Sequence, residues 1–451
     1  MVDDLVRRSL LLCLLSLVAC GGDDAGTPAD AGPDALPDAP PSNCQAQGAT
    51  GQFLRRANNP RLRPRQTFTD AKIDISISDP DVRWDAATAR WDVFYASSHG
   101  TSYQSSDQRG VIRHASSADR VTWTVDEAPA LGVSTDAQGW DRSRTETPTV
   151  VWNPAAPADR RYLMLYAGAS GAFPHANYAF SNYAIGAAIS ADGKTFTRIS
   201  AAESPKGKAG LVLTAADAFP AGIDGVVADP ELAVVNGTYH LFFSSFSCKG
   251  TDCQTTDAYG ISHATSTDGL HWVMAEAPVR SLLRMSAVLT SGGAQPSVIY
   301  DATHCNWEMW LTSDAPGEHD NQPVAFNNMA GVWHADSKDG VNWHLDYLFA
   351  RELTWTQTEA GEPLGLLTGA DVAQNGNGRL MLYVGFDDQM VPASFFLPDH
   401  SVTPGFRPGV MVLNVATRDL PYGQVRRRSA RSTLRFASVG SRSATLARHT
   451  T

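Results

Sequence analysis

The chain has 451 residues, of which 43% are hydrophobic, 9% aromatic and only 18% charged, with 37 Gly, 26 Pro and 11 Trp. That apolar content supports a packed core and excludes a wholly disordered chain. A net charge of −11 argues against a nucleic-acid binder, which needs a basic face. Low charge with abundant Gly, Pro and aromatic residues predicts a β-rich fold with frequent turns.

In chain order, residues 1–19 read as an export leader. Arg7 and Arg8 precede an apolar run from Leu10 to Ala19 that ends Leu17-Val18-Ala19-Cys20. About ten apolar residues are too few to cross a bilayer, which takes roughly 20. The ending resembles the lipobox of bacterial lipoproteins, although Asp3 and Asp4 depart from a purely basic leader. The resemblance implies cleavage before Cys20 and a lipid on its sulfur; the alternative is an ordinary signal peptide cut after Ala19. Gly21 after the cysteine, by the same resemblance, implies the outer membrane or cell surface. Residues 20–44 follow as an acidic Ala/Asp/Pro/Gly tether without an aromatic residue, unable to bury a core. Residues 45–72 are a lead-in, expected to cap the folded domain or help close it. At the other end, residues 421–451 carry seven Arg and no acid, and read as a solvated basic tail. The domain between is therefore more acidic than the whole chain.

Of six Cys, Cys13 leaves with the leader and Cys20 takes the lipid. Cys248 and Cys253 flank a four-residue polar loop that a disulfide would close, and Cys44 and Cys305 could pair, as suits an exported chain. The CxxxxC spacing lacks the second pair or His partner of a zinc site.

Between residues 73 and 418 one unit recurs five times. It opens on a strand near a proline: SDPDVRW (78–84), ETPTVVW (146–152), ADPELAV (228–234), AQPSVIY (294–300) and GADVAQN (369–375). A strongly apolar strand follows, such as WDVFYAS (91–97) or YHLFFSS (239–245), then a small-residue strand, GVIRHAS, AIGAAIS, GISHATS or GVWHADS. The unit closes on SADRVTW (117–123), SADGKTF (190–196), STDGLHW (266–272) or SKDGVNW (337–343), and the fifth unit lacks that turn. Pro80, Pro148, Pro230 and Pro296 are 68, 82 and 66 residues apart, a spacing that suits four-stranded blades. Short alternating strands with a turn that returns a Trp each time predict an all-β fold, a five-bladed β-propeller over residues 73–420, in preference to a β-sandwich. The closing Trp or Phe is expected to pack between blades, and a monomer is expected.

These units resemble the five-bladed propeller glycosidases: the arabinanases and xylosidases of glycoside hydrolase family 43, the invertases and fructanases of family 32, and the mannoside phosphorylases of family 130. Asp79-Pro80 with WDVFYAS, ADPELAVVNGTYHLFFS and the ATSTDGLHW turn carry the likeness, which covers about three quarters of the chain. It implies cleavage of glycosidic bonds in an oligo- or polysaccharide, with carbohydrate as the ligand and the membrane touched only through the lipid. Such cleavage needs two carboxyl groups flanking one bond. Carboxylates at the starts of inner strands, which line a central funnel, can supply them.

Aligned on proline, the column before it holds Asp79, Thr147, Asp229, Gln295 and Gly369, and the column after it Asp81, Thr149, Glu231, Ser297 and Asp371. Two before it lie Ser78, Glu146, Ala228, Ala294 and Thr368. The resemblance implies Asp79 as base or nucleophile. The second blade offers Glu146 where an Asp is usual, and the third has Ala228 where the acid Glu often stands. The expected set is Asp79, Glu146 or Glu231 as acid, and Asp229 as orienting or tuning partner. Arg144, Asp371, Trp84 and Trp140 are candidate substrate contacts. His114, His263 and His334 recur in the third strand of separate blades and are expected to pack alike rather than share a metal. No cofactor is required, although a calcium ion in the funnel would be compatible. Two other readings stand beside this one: a sialidase, against which count the absence of the Asp-box residue between Asp and Gly and five blades rather than six, and a non-catalytic lipoprotein that binds a glycan or protein through the funnel.

Overall fold

A computed structural model describes residues 53–55, 59, 61–86, 88–102, 105–171, 183–219, 221, 225–249, 255–274, 293–313, 331–345, 351–354, 368–375, 378–387 and 410–418. The leader, Cys20, the acidic tether, Cys44, Cys253 and the basic tail lie outside them.

The described residues form five antiparallel sheets in chain order. The first is built from β2 (Ile73–Asp85), β3 (Arg90–Gly100), β4 (Arg109–Ser117) and β5 (Thr124–Val125). The second comprises β6 (Arg144–Trp152), β7 (Tyr162–Ala169), β8 (Ala184–Ser190), β9 (Thr197–Arg198) and β10 (Leu211–Leu213). A single parallel pairing, Gly110 with Arg144, joins these two sheets at one end. The third holds β11 (Gly225–Val235), β12 (Thr238–Lys249), β13 (Thr255–Ser266) and β14 (Val273–Met274). The fourth holds β15 (Ala294–Asp301), β16 (Asn306–Ser313), β17 (Gly331–Ser337), β18 (Trp343–Leu345) and β19 (Arg351–Thr354). The fifth is β20 (Thr368–Asn375), β21 (Gly378–Asp387) and β22 (Val410–Arg418), completed by β1 (Leu54–Arg55) pairing with β22. The lead-in therefore closes the ring, because a strand that precedes the first blade supplies the outer edge of the last. Helix is confined, among the described residues, to Ala215–Ala218 and one 3-10 turn.

Packing shows the ring directly, since five apolar clusters each occupy one blade interface. Val93, Tyr95, Leu380 and Leu382 join blades one and five; Phe94, Ile112, Met164 and Tyr166 join one and two. Leu163, Leu165, Leu241 and Phe243 join two and three, Phe242, Met309 and Leu311 join three and four, and Trp310, Val332, Met381 and Tyr383 join four and five. The middle of each second strand is strongly apolar because it is buried on both faces, odd and even side chains serving opposite neighbours. The five-bladed β-propeller is thus the observed fold.

The closing turns work as expected. In each, the Ser hydroxyl donates to the Asp carboxylate, which accepts two backbone N–H groups, as Asp119 does from Val121 and Thr122. Those backbone bonds hold Asp119 down to about 2. The aromatic after each turn packs at the interface with the preceding blade: Trp123 toward blade five, Phe196 toward one, Trp272 toward two and Trp343 toward three. Gly193, Gly269 and Gly340 take φ of 70°, 77° and 74° there, whereas the first blade forces Arg120 to 64°. Since left-handed backbone costs a non-glycine residue about 1–2 kcal/mol and Gly gives back part of that as unfolded-chain entropy, Arg120→Gly is expected to raise stability by up to about 1 kcal/mol. Denaturant unfolding checks it, and a lowered midpoint would show that the Arg120 side chain outweighs the strain.

His114, His263 and His334 each lie across from an aromatic of the second strand, with ring centroids 4.9 Å from Phe94, 4.3 Å from Phe242 and 5.1 Å from Trp310. Cys305 is disulfide-bonded.

Candidate active site

The innermost strands β2, β6, β11, β15 and β20 share a local feature that sets the site. Asp79, Thr147, Asp229, Gln295 and Gly369 all have positive φ, between 46° and 54°. At each, the register with the second strand slips: Ser78 pairs with Ala96 but Asp81 with Phe94, so Asp79 and Pro80 together oppose Tyr95. The same two-against-one bulge recurs between Glu146 and Thr149, Ala228 and Glu231, Ala294 and Ser297, and Thr368 and Asp371. A bulge re-aims its residues and resets the alternation beyond it. Proline helps, since it lacks the N–H that the bulge would leave unpaired. Gly369 at this position is the residue such backbone favours; the other four hold it by surrounding contacts.

The bulges turn the column before proline into a cavity on the propeller axis. It is about 30 Å3, lined by the x-Pro pairs of the first four blades and by Gly369, Ala370, Glu231 and Asp371.

The column after proline does something else. Asp81 accepts the backbone N–H of Val150 at 3.1 Å, Thr149 Oγ1 that of Leu232 at 3.1 Å, and Glu231 Oε1 that of Val298 at 3.0 Å. Ser297 Oγ accepts from Val372 at 3.0 Å, and Asp371 Oδ2 from Val82 at 2.5 Å, which returns to blade one. Each blade thus binds the main chain of the next, in a closed cycle of five. Glu231 and Asp371, candidates as acid and substrate contact, are buried acceptors in this cycle, and Asp371 Oδ1 is further taken by Ser297 at 2.6 Å. Burial, with mutual repulsion of Asp81, Glu231 and Asp371, pushes Asp81 and Glu231 well up; burial raises Asp371 to about 6.

Asp79, Glu146 and Asp229 are brought together instead. Burial first, then the charge of Asp229 and, more weakly, that of Glu146, lift Asp79 to about 7 against the donors Ser78 and Gln295. Ser78 Oγ donates to Asp79 Oδ2 at 2.7 Å and Gln295 Nε2 to Oδ1 at 3.1 Å. Asp229 reaches about 6 through burial, opposed by the Ser244 hydroxyl and reinforced by Glu146. Both stay half-buried, open to the funnel yet crowded by protein. Glu146 accepts from the Tyr183 hydroxyl, lies 3.7 Å from Arg144 Nη1, and the same Arg144 nitrogen donates to Tyr183.

Tyr183, Gln295, Ser78 and Ser244 thus touch the acids without standing among the sequence candidates. Gln295 lies in the right column but is not an acid, and Tyr183 sits in the approach to β8, outside every repeated position. The two tryptophans part company. Trp84 packs on Trp91, 5.1 Å between centroids, in the core between blades one and five, five residues along β2 from Asp79. At roughly 3.3 Å per residue that separates it from the funnel, which corrects its place among substrate contacts. Trp140 is half-buried in the second blade, stacked on Tyr166 at 5.8 Å and fixed by a 3.0 Å bond to the Ala209 carbonyl.

No protein-family model matches the chain, and no curated protein matches its sequence. Solved structures do. A glycosyl hydrolase from Bacteroides ovatus superposes with TM-score 0.52 at 15% identity, over 84% of this chain and 98% of the other. A family 117 glycoside hydrolase of Zobellia galactanivorans gives 0.50 at 14%, over 82% and 91%. A structure described with the family 130 mannoside phosphorylases, among them hydrolases of β-1,2 mannosidic linkages, gives 0.50 at 16%, over 83% and 96%. At such identity the likeness establishes a glycoside hydrolase-like fold.

Proposed function

We propose that the protein is a glycoside hydrolase acting on an oligo- or polysaccharide, with Asp79 and Glu146 as its two working carboxyls and Asp229 as the group that tunes Asp79. The observation that carries this reading is that Asp79 and Asp229, from two blades, line one cavity and are both raised into the range where a proton is held and released near neutrality, with Glu146 of a third blade near enough for its charge to push each of them up.

Asp79, half-protonated at about pH 7, is suited to give its proton to the glycosidic oxygen as the C–O bond breaks. Glu146 receives a hydrogen bond from Tyr183 and faces Arg144, so of the two it is the acceptor, attacking the anomeric carbon or taking a proton from water. This exchanges the roles that resemblance alone implied for the first two blades. Glu231 drops out because its oxygen serves the interblade cycle. In the same reading the enzyme is exported and held at the outer membrane or cell surface by a lipid on Cys20.

The test is a screen on aryl arabinosides, xylosides, mannosides and fructans, with Glu146→Gln as control. Turnover lost in that variant, by about 10²–10⁴-fold, is the expected result. Glycan binding without turnover on any of them would favour the non-catalytic lipoprotein instead.

A further inference from the structure

We infer that Gln295 is a positioning residue of this site, its side-chain amide locked by the fifth blade so that it holds one oxygen of Asp79 and aims the carboxyl into the cavity. The inference rests on the hydrolase reading for its kinetic consequence but not for its geometry.

Gln295 is tied to three other blades. Its backbone N–H donates to Ser244 Oγ of the third blade at 2.9 Å. Its Oε1 accepts the N–H of Gly369 in the fifth at 3.0 Å, and its Nε2 donates to Asp79 Oδ1 in the first at 3.1 Å. These partners fix the amide orientation. The flipped amide would set an oxygen against a carboxylate oxygen and an NH2 against a backbone N–H, two repulsions in place of two bonds. The left-handed backbone of Gln295, φ 49°, places the side chain across the axis rather than into a blade interface. Gly369 lies against the lock: its own φ of 54° favours glycine, and a Cβ there would be in ordinary contact with Asp79 Oδ1 at 3.4 Å and Gln295 Nε2 at 3.5 Å.

With Ser78 on Oδ2, both Asp79 oxygens take a fixed donor, so the carboxyl cannot rotate out of the funnel. The donor on Oδ1 is neutral. A cation there would hold Asp79 permanently as carboxylate, whereas an amide supports the charged form without abolishing the protonated one. The other groups facing Asp79 are Asp229 and Glu146, both of which oppose its charge.

Two measurements on the full chain test this. In Gln295→Met, kcat is expected to fall more than KM rises, and the alkaline limb of the rate profile to move up by about one pH unit, because a donor to the carboxylate is gone. Gln295→Glu is expected to recover activity only at acid pH, where the introduced carboxyl is protonated and can still donate. The second readout needs no substrate. The stability loss of Gln295→Met relative to the parent should grow as pH rises through about 7, and that growth should vanish in an Asp79→Asn background. An unmoved pH profile, or a stability loss independent of pH, overturns the inference. If no glycoside is turned over, the hydrolase reading fails while the stability measurement still decides the role of Gln295.

Discussion

Asp79→Asn is expected to lower turnover by about 10²–10⁴-fold and, in the same molecule, to stabilise the fold above neutral pH. The first effect comes from removing the transferable proton. The second reflects the cost of charging a crowded carboxyl. Asp79 rises from 3.8 to about 7 in the folded protein, through burial and then Asp229. A carboxyl that binds its proton more tightly when folded favours folding at low pH, and stability is lost as pH climbs from the lower value to the higher. Three pH units correspond to up to about 4 kcal/mol. Asn keeps the shape and an oxygen for Gln295 but never ionises, so the variant should lack this loss. Urea unfolding of both proteins from pH 4 to pH 9 reads it. Undiminished turnover would remove Asp79 from the chemistry; parallel stability curves would show that its charge is relieved some other way.

Arg379→Met should cost about 3–5 kcal/mol, because it strands a buried carboxylate. Arg379 in β21 donates to Glu308 in β16 through two nitrogens, at 2.7 and 2.6 Å, and both side chains are essentially buried between blades four and five. His334 adds a third contact to Glu308 at 3.1 Å, and Gln374 shares the guanidinium. Burial pushes the Glu308 carboxyl up, but His334 and Arg379 outweigh it, and the result lies well below the usual range. That depression makes the pair a source of stability at neutral pH that is lost as pH falls below about 4.5, the ordinary value. The double variant Glu308→Met with Arg379→Met should recover most of the single loss, since an apolar pair of similar volume needs no desolvation of charge. A thermal melt of the three proteins distinguishes these outcomes: no recovery in the double variant would mean the packing around Trp310, not the stranded charge, carries the cost.

The blade repeat was legible because each blade must bury a second strand on both faces and four of the five end in one kind of turn, so apolar runs and Ser-x-Asp-Gly-x-x-Trp or a near relative recur whatever the chemistry at the centre. The ring closure was less so. The two-residue strand Leu54–Arg55 has no periodicity to betray it, and it finds its place only because β22 offers an edge. Trp84, a candidate substrate contact by residue type for which core packing is the default, packs on Trp91, and the length of β2 carries it away from the axis.

Residue order alone laid out the blades, their succession and the five-position columns around each proline. The task of each column was settled only in the folded ring. Strict alternation would put Asp79 and Asp81 on the same face, since they are two residues apart. The bulge at Asp79-Pro80 inserts one residue, rotates the strand beyond it, and leaves Asp79 in the funnel while Asp81 binds the next blade. The same rotation retires Glu231 and Asp371 to the interblade cycle and lets a glutamine, invisible as a catalytic candidate, take hold of Asp79. A left-handed residue before proline is a choice that surrounding blades impose on the backbone, and residue types alone do not record it.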